Sequence, residues 1–253
     1  MIFYKQHRLK FSYKEIMMQH KVSYLICVLI PTYNSSPFIG ELLDSIIMQE
    51  GISIDDIQVV VTDDASQDNT LAVVENYKDK IPHLVIHKNK VNLGITKNVN
   101  SGLVQCTGKY CIAIGGDDIL MPDRIASQLN WFANHPNGVL CSSGVEVFEH
   151  ESGVVLGKYI DEDFLHHRGK YRIISQINQL ASSRFMFDRE KCQDMIFDER
   201  TPVVSDWLFY NEMLFRGEYG DTGKIGLRYR RHANNTTRSG DLTHYMDDRS
   251  SNG

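Results

Sequence analysis

The stretch "YLICVLIPTYNSSPFIGELLDSIIMQE", residues 24–50, passes from one periodicity to another. Residues 24–30 form a near-continuous apolar run of strand length, the pattern of a strand buried on both faces. Turn-forming residues, "PTYNSS", interrupt it. From Pro37 onward the apolar positions are Ile39, Leu42, Leu43, Ile46 and Ile47, the spacing of one helix face. A buried strand, a short turn and an amphipathic helix are the opening of a β-α-β unit.

The same alternation continues outward. Strands are expected at "IQVVV" (57–61), "HLVIHKN" (83–89), "GKYCIAIGG" (108–116) and "GVLCSSGVEVFEH" (138–150). Helices are expected between them at 66–80, 94–105 and 121–135, the last with proline in its first turn. This order predicts an α/β fold: a Rossmann-like, mostly parallel sheet flanked by helices. Such sheets bind ligands beyond the carboxyl ends of their strands. Two acidic pairs fall there, in "TDDAS" (62–66) and "GGDD" (115–118), and are expected to face one crevice.

The chain has 253 residues and 42% hydrophobic content, enough for one large domain. Its net charge of −5 gives no sign of a nucleic-acid partner. Five cysteines without a CxxC spacing read as reduced, buried thiols in a cytoplasmic protein, not as a disulfide frame or zinc site. No apolar run approaches the length of a membrane span. Residues 1–22 form a basic, aromatic extension, read as solvated, with contact to anionic lipid as the alternative. Residues 23–240 read as a single domain, with a regularly alternating half (23–145) and a smaller, less regular C-terminal half (146–240). Residues 241–253 read as a frayed tail.

Adjacent carboxylates repel unless a cation or ligand donors neutralise them. Mg²⁺ uses one or two protein carboxylates and completes its shell with water and phosphates. A solvated turn capping the next helix accounts for "GGDD" equally well. For "TDDAS" the two readings are a helix cap and a carboxylate that accepts from a base N–H. No GxGxxG, GxxxxGK[ST] or nucleophile elbow occurs, so phosphate binding here would rely on a metal.

Six segments occur in an order that resembles glycosyltransferase family 2: "VLIPTYNSSPFIGELLDSIIMQ", "IQVVVTDDASQDNT", "NLGITKNVNSGL", "GKYCIAIGGDDILMPDRI", "FDERTPVVSDWLFYNEML" and "YRRHANNTT". They span roughly residues 24 to 238. The resemblance implies a GT-A fold and an inverting, nucleotide-sugar-dependent transferase with an acceptor-binding C-terminal lobe. It implies that Pro31, Thr32 and Tyr33 line the nucleotide pocket. Asp64 accepts from uracil N3–H, and Lys97 lies near the base or diphosphate. Asp117 contacts ribose or sugar, and Asp118 ligates Mn²⁺ or Mg²⁺. Asp206, in "SDW", is the expected catalytic base, and its alternative role is a carboxylate at a helix N-terminus. Arg230 and Arg231 are expected near the diphosphate, and His232 at the metal or acceptor. Trp207 is a candidate acceptor platform, whereas Met195, Phe197, Phe209 and Phe215 read mainly as core.

Three departures from the family pattern stand out. Gly115 replaces the first Asp of DxDD, Val99 replaces an Arg, and "SDW" stands for "EDW". The implied partners are a nucleotide-sugar, most simply a UDP-sugar, and a saccharide or lipid-linked saccharide acceptor. The implied setting is bacterial surface-polysaccharide assembly at the inner face of the cytoplasmic membrane. A sugar nucleotidyltransferase and a non-catalytic nucleotide- or sugar-binding module are the competing readings. The first normally carries a glycine-rich basic loop after the first strand, which "PTYNSSP" is not.

Overall fold

The apolar run that opens the sequence argument lies at the centre of the sheet. In the computed structural model, which describes residues 24–160, 182–202, 204–233 and 235, β1 (Ile26–Thr32) is buried along its whole length. It pairs in parallel with β2 (Ile57–Asp63) on one side and β4 (Tyr110–Ala113) on the other. Its side chains alternate between two cores. Ile26, Val28 and Ile30 join the larger cluster, and Cys27 and Leu29 join the second. Each fully buried aliphatic side chain contributes about 1.5–3 kcal/mol, so β1 ties both layers to the sheet.

The helices follow the predicted positions. α1 (Ile39–Ile47) buries Ile39, Leu42, Leu43 and Ile46 in the larger cluster. α2 (Thr70–Glu75) is shorter than the span expected at 66–80. Its start is delayed because the Asp68 carboxylate accepts from both the Thr70 N–H and hydroxyl, fixing residues 68–70 as a turn. β3 (Leu84–Lys88) adds to β2, and α3 (Ile95–Leu103) crosses back toward β4. Gly102 permits that packing: a Cβ there would lie 2.4 Å from both Leu29 Cδ1 and Thr62 Cγ2.

The remaining elements are β5 (Ile119–Leu120), α4 (Arg124–Asn134), β6 (Gly138–Glu149), β7 (Val155–Tyr159), β8 (Met186–Asp188), α5 (Ser205–Met213) and β9 (Glu218–Arg231). Among the described residues the sheet has nine strands in the order β3-β2-β1-β4-β8-β6-β9-β5, with β7 on β6. β8 is antiparallel to β4 and β6, β9 is parallel to β6, and β5 and β7 are antiparallel additions. Among the described residues four strand pairings are parallel and four antiparallel, so the sheet is mixed: its first half is parallel as expected, and β5, β7 and β8 bring antiparallel pairs to the second half. The expected division at 145/146 falls inside β6, and β8 inserts between β4 and β6, so the C-terminal half is built on the same sheet as the first. The basic extension, His166, His167 and the tail lie outside the described residues.

The five cysteines are free and buried. Cys27, Cys106 and Cys111 bring their Sγ atoms within 4.8 Å of one another. Burial pushes the Cys27 and Cys111 thiols well up, and all three pack in the second hydrophobic cluster.

Candidate active site

The carboxyl ends of β1 and β2 carry tight turns in which Asn34 and Ala65 have positive φ, 51° and 61°. The two turns are stapled together. Asn34 N–H donates to Ser66 Oγ at 2.9 Å, Gln67 N–H to Asn34 Oδ1 at 2.8 Å, and Ser35 N–H to Thr70 Oγ1 at 2.8 Å. This holds Pro31 and Thr32 in the sheet, both buried, and leaves Tyr33 47% exposed at the mouth.

Asp64 is 3% exposed, and its carboxylate organises the "NLG" turn. Oδ1 accepts from Leu93 N–H at 2.8 Å and Asn89 Nδ2 at 3.0 Å, and Oδ2 accepts from Gly94 N–H at 2.9 Å. Gly94 has φ 82°, which glycine adopts at little cost. A carboxylate offers about four lone-pair sites, so one remains on Oδ2. Asn89 also donates to Asn98 Oδ1, and Asn98 donates to Thr62 O. The "TDD" segment thus serves as a turn anchor as well as a ligand candidate. Lys97 lies exposed on the first turn of α3. Thr32 Oγ1 and Asp63 Oδ1, at facing register positions, are buried without a hydrogen-bond partner among the described residues.

The second acidic pair divides its duties. Asp118 is 1% exposed, and its Oδ1 accepts from Arg230 N–H at 3.1 Å. Burial, then the neighbouring Asp117, hold its carboxyl well above the usual range, while the Arg230 N–H, Ser183 and Arg124 oppose them. Arg124 is itself fully buried, and burial lowers it to about 10 against the pull of Asp118. Asp117 is the partly open carboxylate, its side chain 28% exposed. Its Oδ2 meets His232 Nε2 at 3.0 Å and Asn235 Nδ2 at 3.3 Å. The two preceding glycines have packing roles. A Cβ at Gly115 would lie 2.7 Å from Asp117 Oδ1, and one at Gly116 would lie 2.9 Å from Thr32 Oγ1. Gly115 therefore leaves room for the Asp117 carboxylate, and Gly116 seats this loop against the end of β1.

Arg230, expected near the diphosphate, is bonded to protein groups. It is 2% exposed, and its Nε donates to Asp117 O at 2.7 Å. Nη1 meets His150 Nδ1 at 3.1 Å, and Nη2 pairs with Glu41. Arg231, two residues beyond Tyr229 on the opposite face of β9, holds its guanidinium 5.1 Å from that ring. Strand alternation separates the two arginines.

Asp206 opens α5, half-buried, and its Oδ1 accepts from Trp207 N–H at 2.7 Å. Its neighbour Ser205 shares a 3.0 Å hydrogen bond with Thr96, whose hydroxyl also donates to Pro202 O at 3.2 Å. These bonds fasten the start of α5 to the start of α3, directly after the "NLG" turn that Asp64 holds. Burial, then Cys111 and Asp206, raise the Tyr210 hydroxyl one turn further on. Trp207 is half-buried and packs against the second cluster with Met195, Phe197 and Phe209, while Phe215 is 72% exposed.

Sequence reasoning passes over Asn89, Asn98, Glu41, His150 and Asn235. Each is a polar residue whose importance depends on a partner far along the chain. Asn98, on the buried face of α3, offers the only local signal, a polar residue where that face is otherwise apolar or small.

The profile of "Glycosyl transferase family 2" matches residues 27–196. Abequosyltransferase RfbV of Salmonella typhimurium is 33% identical over 118 residues, 46% of this chain and 35% of that protein. The poly(ribitol-phosphate) beta-N-acetylglucosaminyltransferase TarS of Staphylococcus aureus is 33% identical over 113 residues, 45% of this chain and 20% of that one. The TarS 1–349 structure in complex with UDP-GlcNAc superposes with a TM-score of 0.68 at 22% identity, covering 85% of this chain and 60% of that chain. Mannosyltransferase PcManGT from Pyrobaculum calidifontis, in complex with GDP-Man and Mn²⁺, gives 0.58 at 19% identity, covering 87% and 63%. The fold is thus shared with these GT-A structures, and the profile covers two thirds of the sequence. The chain belongs to glycosyltransferase family 2.

Proposed function

We propose that this glycosyltransferase moves a sugar from a UDP-sugar to a hydroxyl of a saccharide or lipid-linked saccharide, with inversion and with a divalent ion, in bacterial surface-polysaccharide assembly. The observation that carries this reading is the run of contacts joining the segments of Asp64, Asp117 and Asp206: Asp64 holds the "NLG" turn, Gly116 packs on Thr32 at the end of β1, and Thr96 after that turn bonds Ser205 beside Asp206. The names of RfbV and TarS supply the setting. Peripheral contact with the inner face of the membrane is part of the proposal; among the described residues no helix is long and apolar enough to cross a bilayer.

In this reading the free lone pair on Asp64 Oδ2 accepts from the base N–H, beside Tyr33. A divalent ion fits the remaining set. Asp117 offers an oxygen without a partner among the described residues, and His232 offers an imidazole beside it, a combination of the kind that holds Mn²⁺ or Mg²⁺. The sequence expectation gives the ion to Asp118. Its burial and its bond from Arg230 N–H favour Asp117 as the ligand and Asp118 as its support. When bound, the ion supplies Lewis-acid stabilisation of charge on the departing diphosphate.

Asp206 is the base that takes the proton from the acceptor hydroxyl as that oxygen attacks the anomeric carbon. Displacement from the opposite face inverts the centre, so an α-linked donor gives a β-linked product. Trp207, next to it, offers an edge for the acceptor sugar. Replacing Asp206 with Asn is expected to lower turnover by roughly 10²–10⁴-fold, the usual share of general-base catalysis, with donor binding unchanged. A variant with full turnover would remove Asp206 from the mechanism.

A further inference from the structure

We propose that Arg230 is a positioning residue that sets the ion affinity of Asp117 by clamping both acidic residues to β9. The inference rests on the reading of Asp117 as an ion ligand. It gives Arg230 a role different from the phosphate contact that its sequence position suggests.

The geometry is a clamp at several points. The backbone N–H of Arg230 holds the Asp118 carboxylate at 3.1 Å, and its Nε holds the Asp117 carbonyl at 2.7 Å. Its own carbonyl accepts from Asn235 Nδ2 at 3.0 Å, and that same nitrogen reaches Asp117 Oδ2 at 3.3 Å. Asn235 Oδ1 in turn accepts from His232 N–H at 2.6 Å, and His232 meets Asp117 Oδ2. Asp117 is therefore gripped at its carbonyl by the guanidinium and at its carboxylate by residues whose placement depends on the Arg230 backbone.

The guanidinium is anchored from outside as well. Nη2 pairs with Glu41 on α1, and Nη1 meets His150 just beyond β6. The rings of Phe38 and Phe148 lie 5.2 and 4.8 Å from its central carbon. Partners in three directions at one planar group suit arginine alone. Lysine is a point charge with a flexible stem and cannot span them. Among the described residues these partners engage all three guanidinium nitrogens and three of the five N–H donors. In this reading neutralising a bound diphosphate falls chiefly to the ion, and ion binding falls to how well Asp117 is held.

Outer groups that orient a ligand typically change metal affinity by about 10–100-fold when removed. The test is a Mn²⁺ titration followed by electron paramagnetic resonance, with UDP present and no acceptor. It is run on wild type, Arg230→Lys and Glu41→Gln at a temperature where melting curves show each protein folded. Arg230→Lys should weaken Mn²⁺ uptake by about 10-fold or more. Glu41→Gln, which touches only an exposed outer anchor, should weaken it by about 2–5-fold, a smaller version of the same effect. A purely structural role would lower the melting temperature and leave Mn²⁺ affinity of the folded protein within twofold of wild type, which would overturn the proposal. If Arg230→Lys does not fold, Glu41→Gln decides: unchanged affinity overturns it. Wild-type protein that takes up no Mn²⁺ with UDP would overturn the ion-site reading itself, and this inference with it.

Discussion

Replacing Asp64 with Asn separates its two roles, because only one of them needs a ligand. The carboxylate accepts three hydrogen bonds from Asn89, Leu93 and Gly94 inside the protein. An amide has one oxygen, which can keep the Asn89 and Leu93 donors. Its NH₂ group then faces the Gly94 N–H, donor against donor. Asn92 Oδ1, already 3.1 Å from that N–H, makes up part of the loss. Hydrogen bonds to a charged acceptor contribute about 1.5–3 kcal/mol and those to a neutral one about 0.5–1.5. Two demoted bonds and one compromised donor therefore cost about 2–3 kcal/mol. For a chain of this size each kcal/mol moves Tm by about 2–4 °C, so Asp64→Asn should melt about 4–12 °C lower, with no nucleotide present. Thermal and urea unfolding followed by circular dichroism measure it. If Asp64 serves only as an acceptor for the base, the free protein keeps its stability. A Tm within about 1 °C of wild type would refute the turn-anchor argument.

Two further substitutions test the packing and the acceptor side. Gly102→Ala would press a methyl group onto Leu29 and Thr62 across the α3–sheet contact, at a cost of about 1–3 kcal/mol; an unchanged urea midpoint would show that α3 can move away from the sheet. Trp207→Ala should raise acceptor KM more than donor KM, since only part of the ring is buried in the second cluster; equal effects on both would assign Trp207 to the core.

The fold was legible because its signals are local. The alternation of apolar runs and helical spacing from Tyr24 to His150 places every parallel strand before β8, and the alternation within β1 and β2 accounts for two cores. The sheet position of β8 was not legible: Met186–Asp188 is three residues long, and only its pairing with β4 and β6 makes it a strand. The two acidic pairs were legible as groups at strand ends, yet the division of labour inside each pair was not. Asp117 and Asp118 differ in burial because β9, more than a hundred residues later, donates to one and leaves the other partly open. Arg230 and Arg231 look alike in the sequence. Strand alternation sends one into the clamp and the other to Tyr229. Val99, where the family pattern has Arg, is 7% exposed and packs in the second cluster with Leu29 and Val60.

The account depends most on a donor site built around Asp117. Its direct test is calorimetric titration of UDP, TDP and GDP into wild type and Asp117→Asn, each with and without Mn²⁺. The account predicts that UDP binds wild type only when Mn²⁺ is present and that Asp117→Asn abolishes that binding. Failure of every nucleotide to bind with Mn²⁺ present, or Mn²⁺-dependent binding that survives in Asp117→Asn, would contradict it.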